Sequence, residues 1–481
     1  MATALLVLLI ATSGGYGWHR DELYFLAAGR HPAFGYADQP LFTPLVVAAA
    51  DALGRGSLAV VRVASALAAA LTAVVTGGIA AEMGGGRRAR GLAAATWAVG
   101  GVSLVTGHFV DTTTFDVLAA SILCWCVARA IRTGSCSWIG VAGVVVGMGL
   151  LNKLLVGFVA VFLLLGLLVA GPRSQLRRRP LLVAALAAAL GAAPYLLWQA
   201  GHGWPQLALS RAIAANGAEG GRVGVVPFQL VLVSPVLVPV WVAGLVRLLR
   251  AGAGRPFRAF ALAYGLLMLF VIATGGKAYY TGGLLPALVA AGGLAVDAWL
   301  THGRPALRRP LLVAALVLSL GIDALIGLDL LAPGQLNGPV LALNPDAGEQ
   351  VGWPQFTATV AAGWRQIPAD DRRIAVIFTG NYGEAGAVDR YGPALGLPAA
   401  YSGHNGFADW GPPPDRPGPV LVVGYSLGQP LLAASFHDCH QVATVDNHLA
   451  VDNQERGTPV VLCAATSRPW SQLWPQLRHD N

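Results

Sequence analysis

The sequence has little charge and almost no lysine. Only 12% of its 481 residues are charged, and just two of its 32 basic residues are lysines, Lys153 and Lys277. A soluble domain usually carries about 25% charged residues. With 55% hydrophobic residues and repeated apolar runs long enough to cross roughly 30 Å of hydrocarbon, the chain is predicted to be an integral membrane protein.

The charge pattern also lacks the signature of a nucleic-acid-binding protein. The formal net charge is +8, but the arginines form short clusters between apolar runs, as topology signals do. A basic groove interleaved with stacking aromatic residues is absent. We therefore expect membrane lipid, and no nucleic acid, as a partner.

Cysteine is scarce, and no cysteine spacing suggests a zinc site. Cys124, Cys126 and Cys136 lie in the apolar part of the chain, whereas Cys439 and Cys463 lie near its end. An oxidising compartment would permit a disulfide between the last two, with two unpaired buried thiols as the alternative. Internal repeats are absent as well, which weakens the case for a transporter built from two similar halves.

Apolar run length predicts a polytopic α-helical membrane protein with about eleven spans. We expect the first run to be an anchor, because no basic residue precedes it as in a signal peptide. The predicted spans are 2–15, 57–81, 91–107, 114–130, 137–152, 154–170, 180–198, 226–247, 258–275, 280–298 and 310–331.

The loops between these spans differ in basic content. One set of alternate loops holds sixteen basic residues and the opposite set holds seven. Because the richer side is normally cytoplasmic, the N-terminus is predicted to be cytoplasmic. The loop 16–56, the loop 199–225 and everything after residue 331 are predicted to face outward.

The composition changes after Leu331. Residues 332–481 contain 13 of the 24 acidic residues and no spanning run. "RRIAVIFTG", "GPVLVVGYS" and "TPVVLCA" read as strands bounded by turn residues. The expected organisation is a transmembrane domain over 1–331, followed by an extracytoplasmic α/β domain over 332–481.

The predicted topology collects acids and bases on the outer side of the membrane. Such groups are costly at membrane depth, so those that occur there usually mark function. They are Asp21, Glu22, Asp38, His108, Asp111, Asp116, Lys153 and Lys277.

Several of these residues also have structural interpretations. "HRDELYFLAAGRH" suits a helix on the membrane surface, with Leu23, Phe25 and Leu26 dipping inward, and its acids would then cap the helix N-terminus. Asp111 is a possible N-cap of the fourth span. An interfacial lysine can simply snorkel.

The same residues can also support chemistry. An outward-facing carboxylate can act as a general base on an acceptor hydroxyl or amine. Lys153 and Lys277, with the hydroxyls of Tyr279 and Tyr280, suit the phosphate of a lipid-linked sugar donor. The sequence therefore favours glycosyl transfer from a lipid phosphate, since nucleotide sugars are confined to the cytoplasm.

Four ordered motifs carry a family resemblance. "RDELYFLAAGR", "DQPLFTPL", the "NK" after the fifth span and the "KAYY…LP" block resemble polyprenol-phosphate-sugar glycosyltransferases of the GT-C superfamily. This group includes glycosyltransferase family 39, the protein O-mannosyltransferases and the aminoarabinose transferases that modify lipid A. The resemblance covers about residues 1–331.

The resemblance implies a role for each candidate residue. It implies that Asp21 is the catalytic base, with Glu22 orienting the acceptor or the base. It also implies inversion at the transferred carbon. Because a monophosphate leaving group needs less charge neutralisation than a pyrophosphate, we expect no required metal or other cofactor. The sequence leaves open whether the acceptor is a protein, a lipid or a cell-wall glycan. Residues that organise the site or bind the acceptor would be Asp38, His108, Asp111 and Asp116. Lys153, Lys277 and Tyr279 resemble the family's lipid-phosphate contacts, and Arg20 and Tyr280 are further candidates for binding this phosphate.

Two other classes of protein remain open from the sequence. A transporter or flippase of lipid-linked sugars would use the same outer charges but should have broken helices. A membrane-anchored binding or assembly protein would not need Asp116 within a span. Two segments of the last domain, "TGNYGEAGAVDRYG" and "YSGHNGFADWGPPP", either bind acceptor or sugar, or serve turns and packing.

Overall fold

The computed structural model describes residues 1–216, 221–250, 252–302 and 304–480. The chain forms two compact units, which we call the helical unit and the sheet unit. The helical unit contains Met1–Ser13, Gln39–Thr43 and Ala59–Leu328. The sheet unit contains Gly14–Asp38, Pro44–Leu58 and Asp329–Asn481.

Most of the chain is helical. The helices are α1 (Ala2–Thr12), α2 (Arg20–Arg30), α3 (Phe42–Gly54), α4 (Leu58–Glu82), α5 (Arg87–Ala98), α6 (Gly101–His108), α7 (Thr112–Thr133), α8 (Ser137–Leu150), α9 (Leu155–Ala170), α10 (Arg178–Gly201), α11 (Pro205–Asn216), α12 (Gly221–Leu232), α13 (Val238–Leu249), α14 (Arg258–Thr274), α15 (Leu285–Thr301), α16 (Pro305–Gly327), α17 (Pro339–Leu343), α18 (Trp353–Trp364), α19 (Tyr382–Tyr391), α20 (Gly406–Asp409), α21 (Pro430–Ser435) and α22 (Trp470–Leu477).

Within the described residues, six helices are long and apolar enough to cross a membrane, and a bent pair gives a seventh candidate. These seven correspond to seven of the eleven predicted spans. The other four predictions fall on shorter helices: α1, α5 with α6, α8 and α9. The predicted outer loop 199–225 contains α11, and its residues 217–220 lie outside the described residues.

Two predicted spans are broken rather than continuous. Span 91–107 is divided between α5 and α6 at Gly100, and span 226–247 bends by 81° between α12 and the segment that begins at Pro235. Glycine weakens a helix by its backbone freedom, and proline lacks the N–H that the helix requires. The breaks contact one another, because the Gly101 N–H donates to the Val233 carbonyl at 2.8 Å.

Glycine allows the helices of this unit to approach closely. A β-carbon on Gly143 of α8 would lie 2.1 Å from Cα of Ala184 in α10. One on Gly244 of α13 would lie 2.0 Å from the Leu288 carbonyl oxygen in α15. Such packing of small residues is typical of membrane helices, where apolar burial gives no net drive for association.

The sheet unit is an α/β arrangement around a five-stranded sheet of order β2-β1-β3-β6-β5. Strands β1, β2 and β3 are parallel, and β6 runs antiparallel to β3 and β5. The three strands predicted from sequence are confirmed as β1, β3 and β6. The strands are β1 (Val376–Thr379), β2 (Ala400–Ser402), β3 (Val420–Val423), β4 (Phe436–His437), β5 (His440–Thr444), β6 (Pro459–Cys463) and β7 (Ala465–Thr466).

Helix α2 belongs to the sheet unit, not to a membrane surface as the sequence suggested. Leu23, Phe25 and Leu26 are all buried. The helix packs on α19, where a β-carbon on Gly386 would lie 2.9 Å from Cβ of Leu23. The apolar face predicted to dip into lipid therefore packs on protein.

The division of the chain also differs from the predicted one. The predicted boundary at residue 331 lies close to the observed boundary between Leu328 and Asp329. However, 14–38 and 44–58, most of the predicted loop of the membrane domain, cluster with the C-terminal residues. The burial of α2 against α19 is the physical reason.

Cys439 and Cys463 form a disulfide in the sheet unit, across a sequence separation of 24 residues. A loop of that length should contribute about 3 kcal/mol by restricting the unfolded chain. We expect Cys439→Ser/Cys463→Ser to lower the melting temperature of the purified protein by several degrees. Cys136→Ser is the control and should melt like the wild type. Equal melting of the double variant and the wild type would contradict this expectation.

Candidate active site

The first cluster of polar residues surrounds the N-terminus of α2 in the sheet unit. His19 is the N-cap residue, and its Nδ1 accepts the Asp21 N–H at 3.1 Å. Oε2 of Glu22 accepts the His19 N–H at 2.9 Å, which completes a capping box. Glu22, which was predicted to orient the acceptor or the base, is fully buried. Its carboxylate caps the N-terminus of α2.

Asp21 differs from Glu22 because it is only partly buried. Its Oδ1 accepts a hydrogen bond of 2.8 Å from the hydroxyl of Tyr382, the first residue of α19. The guanidinium of Arg20 lies over the Tyr382 ring, 4.7 Å from its centroid. Asp21 is therefore held in a fixed orientation by a residue 361 positions away in sequence.

Arg20 is engaged by protein groups rather than free for a lipid phosphate. Its Nη1 lies 3.3 Å from Oε1 of Glu349 and also donates to Gln454. Nε2 of His19 lies 3.4 Å from Oε2 of the same Glu349. The same contacts hold the pKa of Glu349 at about 2, against the effect of burial.

His19, Asp346 and Glu349 form a potential metal cluster, since one ligand atom of each lies within 4.8 Å of the others. The hydrogen bonding around them argues against a cation. Because Nδ1 of His19 accepts the Asp21 N–H, a neutral ring carries its proton on Nε2, which faces Glu349 at 3.4 Å. Arg20 contacts the same carboxylate, so the residues present do not fit a metal.

Asp38 lies in the same unit and is linked to Asp21 through two tyrosines. The Tyr24 hydroxyl donates to Oδ1 of Asp38 at 2.9 Å and accepts the Gly406 N–H at 3.2 Å. The rings of Tyr24 and Tyr382 are 4.9 Å apart. Two of the predicted acids thus lie at either end of a tyrosine pair.

Burial raises the pKa of Asp38 to about 7, although the hydrogen bond from Tyr24 opposes the shift. Folding favours the neutral carboxyl of Asp38. The free energy of unfolding therefore falls as pH rises from 3.8, the ordinary pKa of this group, through 7. We expect Asp38→Asn to be more stable than the wild type at pH 8, because the amide keeps the Tyr24 hydrogen bond without a charge. Thermal melts between pH 4 and pH 8 should show a growing difference, and a constant difference would contradict it.

The second cluster lies in the helical unit, at the N-terminus of α7. Asp111 is the N-cap residue, and its carboxylate accepts hydrogen bonds of 3.1 Å from the Thr113 N–H and from the Thr112 hydroxyl. The Asn152 amide donates to the Thr112 carbonyl at 2.8 Å and accepts from the Thr43 hydroxyl at 2.6 Å. The predicted N-cap interpretation of Asp111 is confirmed.

Lys153 is the central cation of this cluster. Its Nζ donates to the Thr113 hydroxyl at 3.1 Å and lies 5.4 Å and 5.6 Å from the ring centroids of Tyr279 and Tyr280. Nζ of Lys277 lies 5.7 Å from the Tyr279 ring. Both predicted lysines therefore contact one aromatic ring.

Asp116 and His108 are buried in the same unit. Asp116 lies one turn inside α7, and no hydrogen bond of good geometry reaches either carboxylate oxygen among the described residues. Its charge interacts with that of Lys153. His108 is the last residue of α6. The structure thus brings Asp111, Asp116 and Lys153 together.

Sequence reasoning missed Tyr24, Tyr382 and Glu349 as members of the first cluster. Tyr24 lies in the motif that was singled out, and Tyr382 lies in the segment "TGNYGEAGAVDRYG". The density of polar and aromatic residues in that segment was the available signal. No sequence signal identified Glu349, because its role depends on the pairing with Arg20.

Comparison with protein families gives a match to part of the chain. Residues 38–198 match the family described as dolichyl-phosphate-mannose-protein mannosyltransferase. The matched region includes Asp38, Asp111, Asp116 and Lys153. Among curated proteins, no sequence matches the chain.

Solved structures of similar fold cover nearly the whole chain. ArnT from Cupriavidus metallidurans, bound to undecaprenyl phosphate, matches with a TM-score of 0.61 at 14% identity over 96% of each chain. The apo form of ArnT matches with a TM-score of 0.59. The arabinofuranosyltransferase AftD from Mycobacteria gives 0.51 at 15% identity, over 96% of this chain and 39% of AftD. At these identities the likeness shows a common fold.

Proposed function

We propose that the chain is a membrane glycosyltransferase of the GT-C type, which transfers a monosaccharide from a polyprenyl-phosphate-linked donor to an acceptor outside the cytoplasm. The observation that carries the proposal is the lysine–tyrosine cluster of the helical unit. Lys153 and Lys277 contact one tyrosine ring, beside the acids of α7. Ammonium groups of this kind suit a phosphate monoester.

The similar ArnT structure supports a lipid phosphate as the donor's leaving group, because it is bound to undecaprenyl phosphate. In this chain Lys153, Lys277 and the hydroxyls of Tyr279 and Tyr280 would hold that phosphate. Their charge would stabilise the negative charge that develops on it as the sugar leaves. A monophosphate needs less neutralisation than a pyrophosphate, so we propose that no metal is required.

We propose Asp21 as the base. Asp21 would take the proton of the acceptor hydroxyl or amine as that atom attacks the anomeric carbon. The bond from this carbon to the phosphate oxygen breaks, and its electron pair stays on the polyprenyl phosphate. Attack from the face opposite the leaving group inverts the carbon. The hydrogen bond from Tyr382 would fix the orientation of the carboxylate.

The proposed orientation is supported by the basic residues of the loops. We propose a cytoplasmic N-terminus and an extracytoplasmic sheet unit, because the arginine-rich loops belong on the cytoplasmic side. The Cys439–Cys463 disulfide agrees with an oxidising compartment. The acceptor is then a protein, lipid or cell-wall glycan on that side.

The second candidate is a flippase of lipid-linked sugars. Transporters of this kind are built with broken helices. The breaks after α5 and α12 are the observation that favours it. Both candidates use the same donor, so binding alone does not separate them.

Reconstitution in proteoliposomes tests the two candidates together. The purified chain is given a panel of polyprenyl-phosphate sugars and an envelope extract as the source of acceptors. We expect sugar to appear on an acceptor while polyprenyl phosphate is released. Movement of intact donor across the bilayer without release of polyprenyl phosphate would instead identify a flippase.

A further inference from the structure

Another buried carboxylate of the helical unit lies apart from the residues assigned to glycosyl transfer. Asp323, in α16, is 4% exposed. Oδ2 accepts a 3.0 Å hydrogen bond from Ser319, one turn earlier on the helix. Among the described residues no Lys, Arg or His forms an ion pair with it. A carboxylate at membrane depth normally has such a partner.

The nearest structural feature is the break between α12 and Pro235. In a continuous helix the Val231 carbonyl would accept from the N–H of residue 235, but residue 235 is proline and has none. The last carbonyls of α12 are therefore released from the helix at its C-terminal, electronegative end.

These carbonyls and the carboxylate converge beside Gly101. A β-carbon on Gly101 would lie 3.2 Å from the Val231 carbonyl oxygen, 3.3 Å from Oδ1 of Asp323 and 3.6 Å from the Leu232 carbonyl oxygen. The hydroxyl of Ser234 is fully buried and has no hydrogen bond of good geometry among the described residues. It lies beside the same carboxylate.

We propose that this group of oxygens binds a monovalent cation, with Na⁺ as the natural candidate. Oxygen atoms of a carboxylate, a hydroxyl and unwound carbonyls are the ligands that hold Na⁺ at broken helices in membranes. One carboxylate among neutral oxygens balances one positive charge, which favours a monovalent over a divalent ion. The absence of a side chain at Gly101 keeps the oxygens accessible to the ion.

The site has a structural consequence of its own and does not depend on the proposed transferase activity. Oγ of Ser319, which donates to Asp323, also lies 3.4 Å from the Val99 carbonyl oxygen, at the break between α5 and α6. A bound cation would therefore join α16 to both broken helices. Without a bound cation, no positive charge would balance the Asp323 carboxylate beside the electronegative end of α12.

The test is a comparison of melting temperatures in detergent at constant ionic strength. NaCl or KCl is compared with N-methyl-D-glucamine chloride, and binding of radiolabelled Na⁺ is measured directly. For the wild type we expect a saturable rise in Tm of about 2 °C with the metal cation. Asp323→Asn should lose both the rise and the bound Na⁺.

Two further variants make the result specific. Gly101→Ala places a methyl group among the oxygens and should weaken Na⁺ binding while Asp323 stays in place. Asp297→Asn removes a carboxylate that pairs with Arg88 at 3.5 Å, and it should keep the response. A wild type that binds no Na⁺ and has the same melting temperature in NaCl as in N-methyl-D-glucamine chloride would overturn the proposal. So would an Asp323→Asn variant that responds like the wild type.

Discussion

Asp21→Asn is expected to reduce the rate of sugar transfer about 10²–10⁴-fold, because the acceptor then has no base to take its proton. The fold should be unaffected, since the amide oxygen of asparagine can still accept the hydrogen bond from Tyr382. The measurement is the initial rate of transfer in proteoliposomes, with the melting temperature as a check on folding.

Glu22→Gln is the matched control for this prediction. Glutamine at this position can also complete the capping box with His19, so both stability and rate should stay close to those of the wild type. This result would assign different roles to the two adjacent acids, Asp21 and Glu22. A fast Asp21→Asn variant beside a slow Glu22→Gln variant would exchange their roles.

Lys153→Met is expected to lower kcat/KM for the donor about 10²–10³-fold, because the phosphate loses its principal cation. Methionine has a similar length but no charge, so the loss should report electrostatics rather than packing. Lys153→Arg should recover part of the activity. Removal of this lysine also leaves Asp111 and Asp116 without its charge, so the melting temperature should fall as well.

Arg129→Gln is a suitable control for the lysine variant. Arg129 lies in the helical unit and pairs with Glu82 at 2.8 Å, a contact with no proposed role in transfer. Its loss should leave kcat/KM for the donor unchanged. Equal effects of Arg129→Gln and Lys153→Met on kcat/KM would show a general loss of fold rather than a phosphate contact.

Part of this molecule could be predicted because the relevant signals are local. Apolar run length identified the membrane class, and buried runs between turn residues identified β1, β3 and β6. The acids of α7 and the two lysines were identified because charged residues are rare in apolar surroundings.

The rest depended on contacts between distant parts of the chain. The apolar face of α2 looks the same to a sequence pattern whether it meets lipid or protein, and its partner α19 lies more than 350 residues later. The pairing of Arg20 with Glu349, across 329 residues, had no local signature either. Breaks at Gly100 and Ser234 were hidden because the apolar runs continue through them.

The most direct test of the proposed chemistry is the stoichiometry of transfer. Polyprenyl phosphate and glycosylated acceptor are quantified together by mass spectrometry after reaction of the wild type in proteoliposomes. Our account predicts one polyprenyl phosphate released for each sugar joined to an acceptor, and almost none of either with Asp21→Asn. Glycosylated acceptor without release of polyprenyl phosphate, or equal yields from both proteins, would contradict it.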